Sequence, residues 1–172
     1  HERIEARFLK ALEQAIRSFY GANPEASDDF GRIVNNRHFQ RLTGLLEGQQ
    51  VLAGGETNSE ARYIAPTVLK NVAPDSAVMN EEIFGPILPV LSVRDMDEAI
   101  GFVNARPKPL ALYVFSRNKE TQESILSRTS SGGACVNETL FHFAPHELPF
   151  GGVGGSGMGA YHGRFGFETF TH

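Results

Sequence analysis

Apolar side chains return every three to four residues between Glu2 and Tyr20, at Ile4, Phe8, Leu12, Ile16 and Phe19, with charges on the other face. That period predicts an amphipathic helix stopped by Gly21, with a stripe that needs a sheet to cover. A polar turn, Asn23 to Asp29, leads to a second helical pattern built on Phe39, Leu42, Leu45 and Leu46, from about Asn35 to Glu47 and ended by Gly48. Val51 to Gly55 predicts a short strand. Tyr63 to Leu69 predicts an extended piece that Pro66 pushes towards a sheet edge or a bulge, and the two belong to one hairpin-like excursion. Ile83 to Val93 predicts a buried strand bounded by Gly85-Pro86. Met96 to Asn104 predicts a helix capped by Asp95 or Ser92. Leu110 to Phe115 then predicts a strand, Lys119 to Arg128 a helix and Gly133 to Asn137 a strand. Strand, helix, strand, helix, strand at this spacing predicts an α/β fold with parallel βαβ units. Ligands of such folds bind beyond the carboxyl ends of the strands, which directs attention to Ser116-Arg117 and to Asn137 through Phe150.

The pattern changes at Leu148. From there to Gly163 the chain holds seven of its eighteen glycines, interleaved with Phe150, Met158, Tyr161 and His162. Glycine this dense suits a backbone that takes positive φ or lets another group approach closely. A flexible linker is the plain alternative, but linkers seldom interleave large apolar residues with their glycines. The run contains Gly152-Val-Gly-Gly-Ser-Gly157, a literal G-x-G-x-x-G. A pyrophosphate loop needs a strand before it, a helix N-terminus after it and an acid about 20 residues on. Here Pro149 precedes, and the alternation of Phe165, Phe167 and Glu168 predicts a short terminal strand. The loop therefore reads as an apolar wall for an uncharged organic substrate.

At 172 residues, 41% hydrophobic and 21% charged, the composition is that of a folded globular chain. A net charge of −4 and the absence of any five-residue run of one sign offer no basic field, which disfavours nucleic-acid partners. The longest uncharged apolar segment, Ile83 to Val93, holds two prolines and falls far short of the roughly 20 residues that span a bilayer. One cysteine and no signal-peptide pattern predict a reducing, cytoplasmic setting. The pattern opens inside an amphipathic helix, so a segment of a longer protein is expected.

Cys135 lies in a strand-like setting with no Lys, Arg or His within four positions, and a nucleophilic thiol needs a cationic neighbour or a helix N-terminus. A buried, slowly reacting thiol is expected. His142 and His146 are four apart, but Pro145 breaks the helix that would align them, and no Cys or carboxylate cluster completes a zinc site. Glu81 and Glu82 are adjacent on an extended segment, so only one can face a site. A solvated pair remains the alternative to a carboxylate that grips the hydroxyls of a sugar.

These residues carry a resemblance. Asn80-Glu-Glu-Ile-Phe-Gly-Pro-Ile-Leu-Pro-Val90, Lys108-Pro-Leu-Ala-Leu-Tyr-Val-Phe-Ser116, Ser130-Ser-Gly-Gly133 with Asn137, Leu148-Pro-Phe-Gly-Gly-Val-Gly154, Ser156-Gly-Met-Gly159 and Tyr161-His-Gly163 resemble the C-terminal part of aldehyde dehydrogenases, class 3 branch. Arg62-Tyr-Ile-Ala-Pro-Thr-Val68 and Arg37-His-Phe-Gln-Arg41 agree, and the motifs run in order over nearly the whole chain. One departure is Gly155, where class 3 members often carry Asn.

The resemblance implies NAD or NADP as cofactor and oxidation of an aldehyde to an acid through a cysteine thiohemiacetal. It implies that Glu82 holds the nicotinamide ribose, that Phe84 packs at the nicotinamide end and that Phe150 and His162 line the substrate tunnel. It places the nucleophile, the general base and most of the cofactor domain upstream, so no catalytic residue is expected here and Cys135 does not inherit the nucleophile's part. The chain would be the C-terminal part of a catalytic domain, its last residues leading towards an oligomerisation strand, in a homodimer. A truncated module acting only in subunit contact, and a free-standing nucleotide-binding protein, are the alternatives. The second lacks a true phosphate loop.

Overall fold

The computed structural model describes residues 1–171 and divides the chain into two compact units, residues 1–92 and residues from Val93 onward. In the first, a 3-10 turn (Glu2–Ile4) precedes helix α1 (Glu5–Tyr20). Gly21 stops it at a φ of 75°, its N–H donating to the Arg17 carbonyl at 2.9 Å. The inward face differs slightly from the predicted stripe. Leu9 is buried, Leu12 and Ile16 are half-buried, and Ile4, Phe8 and Phe19 are exposed. Helix α2 (Asn36–Gly44) starts where Asn35 Oδ1 accepts the His38 N–H at 2.9 Å, satisfying one orphan donor of the first turn.

Strand β1 (Gln50–Ala53) pairs antiparallel with β4 (Thr67–Lys70), and β2 (Thr57–Asn58) with β3 (Tyr63–Ile64) forms the inner ladder of the predicted excursion. The bulge falls on the other strand, between Val51 and Ala53. Pro66 does not put its strand at an edge. It occupies the break between β3 and β4, where no ladder N–H is needed, and β4 becomes the central strand of the order β1-β4-β5. The buried strand predicted over Ile83 to Val93 is only β5 (Ile87–Pro89), parallel to β4; Phe84 at a positive φ and Pro86, which has no N–H to donate, precede it. Phe39 and Leu42 from α2 and Leu45 at its C-terminal cap pack with Ile64, Leu69, Val72, Val78 and Ile87 to form the core. The buried Thr67 hydroxyl donates to the Ala65 carbonyl at 2.7 Å and accepts the Gly55 N–H at 3.0 Å, so it adds no unsatisfied group.

In the second unit, α3 (Met96–Asn104) is capped by Asp95, not Ser92: Asp95 Oδ1 accepts the Glu98 N–H at 2.8 Å. The Glu98 carboxylate reaches back to the Arg94 N–H at 2.8 Å and its guanidinium at 3.0 Å, and these bonds hold its carboxyl below the usual range. Strand β6 (Ala111–Val114), α4 (Lys119–Arg128) and β7 (Gly133–Val136) form a parallel βαβ unit over the predicted residues. Within this unit β6 pairs with β7.

The predicted terminal strand is a helix, α5 (Gly163–Thr169). Side chains four apart interact instead of alternating. Arg164 pairs with Glu168, and Thr169 Oγ1 donates to the Phe165 carbonyl at 2.8 Å. Phe165 is half-buried while Phe167 and Phe170 are exposed, so no sheet face uses the alternation that suggested a strand. No helix among the described residues is long and apolar enough to cross a membrane.

Candidate functional site

In the first unit the candidate residues stand on the segment between Val78 and β5. Arg41, half-buried on α2, holds it: Nη1 donates to Glu81 Oε1 at 2.7 Å and Nη2 to the Ile83 carbonyl at 2.6 Å. Burial of Phe39 and Leu42 on the same helix orients that guanidinium, since the two flank it in sequence and anchor the inner face of α2. The acidic pair is thus divided by the Arg41 contact, on a bend and not on a strand. Glu81 is tied down, and the Glu82 carboxylate is exposed and has no hydrogen-bond partner among the described residues.

Phe84 is held at a φ of 49° with 82% of its surface exposed. A bulky residue in the left-handed region is strained and persists only when its surroundings fix it. Gly85 supplies part of that fixing. A Cβ there would lie 2.7 Å from both Leu42 methyls, so the backbone rests on the core in a way only glycine permits. Beside it is a pocket of about 440 Å³, lined by Phe84, Pro86, Phe30, Ile33, Ile64 and His38, with Arg32 at its margin. Arg32 also lies over the Tyr63 ring at 5.1 Å; burial chiefly, then Glu56 and Glu25, pushes the Tyr63 phenol up. Glu82 itself does not line the pocket; it stands two residues before Phe84, which does.

Arg41 is the residue that sequence reasoning did not single out, although its motif was part of the resemblance. Its signal is an Arg one position before a buried Leu on an amphipathic helix. Arg41→Met keeps the apolar stem and removes the donors. With the two side chains 26% and 49% exposed, the contact is discounted to about 1 kcal/mol, or roughly fivefold in local opening. Hydrogen exchange at the Thr67 and Ile87 amides, which donate to the Pro86 and Gly85 carbonyls at the end of this segment, should quicken by about that factor; unchanged exchange would assign the fixing of this segment to the Gly85–Leu42 contact alone.

In the second unit the site residues follow β7. Asn137, at a φ of 57°, ties the carboxyl ends of the two strands: its Nδ2 donates to the Ser116 carbonyl and its Oδ1 accepts the Ser116 N–H, each at 2.9 Å. The chain then turns through Phe141–Phe143 and brings His142 back over β7. Its ring lies 5.6 Å from Tyr113 and 5.5 Å from Phe150. Cys135 is on a strand as predicted, but it is half-buried rather than buried, and His142 Nδ1 stands 3.7 Å from its sulfur. The histidine is seven residues away in sequence, outside the window that suggested an isolated thiol. His146 lies elsewhere, its ring 5.3 Å from that of His162. No three His, Cys, Asp or Glu side chains gather as a metal site among the described residues.

Phe150 and Tyr161 form an antiparallel bridge at the base of the glycine loop, with hydrogen bonds of 3.0 and 2.9 Å. Their rings meet edge to face at 5.5 Å, and His162 lies nearly parallel to Phe150 at 6.1 Å. Between the two edges the loop folds on itself. A Cβ on Gly152 would lie 2.2 Å from the Ser156 carbonyl oxygen, a backbone contact that no rotamer relieves. Glycine is used here for close approach, not for flexibility. Phe150, Tyr161 and His162 form one aromatic surface, with His142 and Phe143 continuing it from Phe150.

Residues 1–172 match the model of the aldehyde dehydrogenase family. The chain is 53% identical over 169 residues to aldehyde dehydrogenase family 3 member A2 of Mus musculus, covering 98% of this chain and 35% of that protein. It is 52% identical over 169 residues to the dimeric NADP-preferring aldehyde dehydrogenase of Bos taurus, covering 98% of this chain and 71% of that one. Among solved structures it superposes on the substrate-bound state of Staphylococcus aureus AldH with a TM-score of 0.96 and 49% identity, covering all of this chain and 38% of that one. The chain spans about a third of the length of the mouse relative. It belongs to the aldehyde dehydrogenase family.

Proposed function

We propose that this chain is the C-terminal part of the catalytic domain of an NAD- or NADP-dependent aldehyde dehydrogenase, and that it supplies the nicotinamide-ribose clamp and one wall of the substrate tunnel. Aldehydes are the substrate class and carboxylic acids the product. The cysteine that forms the thiohemiacetal and the glutamate that activates water lie outside these residues, and the working form is a homodimer, in keeping with the dimeric, NADP-preferring cattle relative. The observation that carries the reading is the exposed Glu82 carboxylate, without a hydrogen-bond partner among the described residues and two positions before Phe84, on a segment that Arg41 and Gly85 hold in place.

The residues present fit the cofactor. The Glu82 carboxylate would accept hydrogen bonds from two ribose hydroxyls, which would fix the sugar and with it the ring it carries. Phe84 presents its face at the pocket and limits where a planar ring can sit. The cofactor, when bound, accepts hydride from the substrate carbon. Phe150, with His162 stacked beside it, excludes water from the reacting aldehyde and holds its apolar part.

Glu82→Gln tests this in the complete enzyme. A hydrogen bond to a charged group contributes about 1.5–3 kcal/mol, so hydride transfer should slow by roughly 10- to 150-fold. Stopped-flow measurement of the first turnover reads that step. Unchanged transfer and unchanged cofactor affinity would return Glu82 to the role of a solvated surface carboxylate.

A further inference from the structure

His162 does something that an exposed wall residue need not do. Its backbone φ is 95°, a value strained for any side chain, and yet its ring is placed against both edges of the glycine loop. On the incoming edge, His162 Nδ1 lies 3.1 Å from the Leu148 carbonyl oxygen. A carbonyl only accepts, so Nδ1 carries a proton and donates, which fixes the tautomer and the ring orientation. On the outgoing edge the ring packs on Tyr161 at 4.6 Å and 75°. Between these contacts it stacks on Phe150, the two rings inclined by only 25°. The neck of the loop is thus closed twice, by the Phe150–Tyr161 backbone bridge and by the His162 side chain.

We propose that His162 is a positioning residue that closes the neck of the glycine loop and thereby sets the angle at which Phe150 faces the substrate. This rests on the reading of Phe150 as a substrate wall given above. The wall touches the aldehyde's apolar part, which changes little between ground state and transition state. Its placement therefore governs binding more than the chemical step, and the loss should fall on KM with kcat nearly kept.

The test uses the complete enzyme carrying His162→Ala, His162→Asn or His162→Gln. Asparagine carries its amide nitrogen where His162 has Nδ1 and tolerates positive φ; glutamine carries its own one bond further out. Two readouts are taken. Amide hydrogen exchange over residues 148–163 reports the neck, with exchange in β6 and β7 as the control that the fold is kept. Steady-state kinetics with an apolar aldehyde reports the wall.

The expected result is that His162→Ala quickens exchange over 148–163 by about tenfold and raises KM about five- to tenfold, the loss expected when a side chain must be ordered by the ligand. Asparagine should restore protection and most of KM, and glutamine neither. Unchanged exchange in the alanine variant overturns the latch. Faster exchange with unchanged KM overturns its effect on Phe150, and equal rescue by glutamine overturns the Nδ1 contact. Faster exchange in a complete protein that oxidises no aldehyde, even with His162 intact, leaves the latch standing and removes the proposed function instead.

Discussion

Leu42→Ala is expected to cost the complete protein about 2–5 kcal/mol of folding stability, the range for removing a fully buried leucine. Leu42 is 0% exposed and sits among Phe39, Leu45, Ile64, Leu69 and Ile87, which come from one helix and three strands. Those elements cannot all close on the space that three lost carbons leave, so a cavity remains and its lining atoms lose their dispersion contacts. The cavity would also lie directly under Gly85, whose backbone rests on the Leu42 methyls. The substitution should therefore loosen Phe84 as well as the core, and the loss of cofactor affinity should exceed what Arg41→Met produces. Urea unfolding gives the first quantity and cofactor titration the second. Leu42→Met, which conserves volume, should cost less than about 1.5 kcal/mol. A loss below about 1 kcal/mol for the alanine variant would mean that the segment under Phe84 repacks freely and that the core does not position it.

The elements that carried a strong local signal were legible. Helix α4 and the two parallel strands around it occupy the predicted residues, because period, cap and turn residues agree there. Asn118, the α4 cap, accepts the Thr121 N–H at 3.1 Å, as a residue of that type before a helix should. The terminal helix was not legible. With Gly163 and Gly166 in seven residues its helix propensity is poor, and it is supported by the single Thr169 hydroxyl proton, which has the Ala160 carbonyl at 2.7 Å and the Phe165 carbonyl at 2.8 Å as acceptors, and by the Arg164–Glu168 pair. Those contacts depend on where the glycine loop returns the chain. The length of β5 was misjudged for a different reason. Apolar content suggested eleven residues of strand, while the positive φ of Phe84 and the missing donor at Pro86 keep the residues before Ile87 out of the ladder.

At the site, Glu81 and Glu82 lie in a bend outside any strand, and what separates them is Arg41, which binds Glu81 from 40 residues away in sequence and so was not legible. The same applies to Cys135. Its strand was predictable from its neighbours; the return of His142 to 3.7 Å depends on Asn137 and Leu140 both taking positive φ, at 57° and 67°, which their sequence context does not announce. In the glycine loop the need for close backbone approach was legible: Phe150 and Tyr161 pair at its two edges, and Gly152 stands where the backbone meets Ser156.

The second large effect concerns the chain on its own, and it bears on what these residues contribute. Aldehyde oxidation requires a thiolate nucleophile, a base and oxyanion donors held together, because only groups that act jointly in the transition state lower the barrier. The 172 residues contain one thiol, Cys135. It has a histidine beside it, but that imidazole has no further hydrogen-bond partner among the described residues to orient it as a base. Phe84, Met158, Phe167 and Phe170 are largely exposed, so the isolated chain should also self-associate on a sizing column. The deciding measurement is the aldehyde-dependent rate of NADH or NADPH formation by the purified 172-residue chain, set against the complete enzyme. The account predicts no rate above the blank. Turnover from a clean monomer within about 100-fold of the complete enzyme, a gap of some 2.7 kcal/mol in barrier, would contradict it and make Cys135 and His142 the catalytic pair.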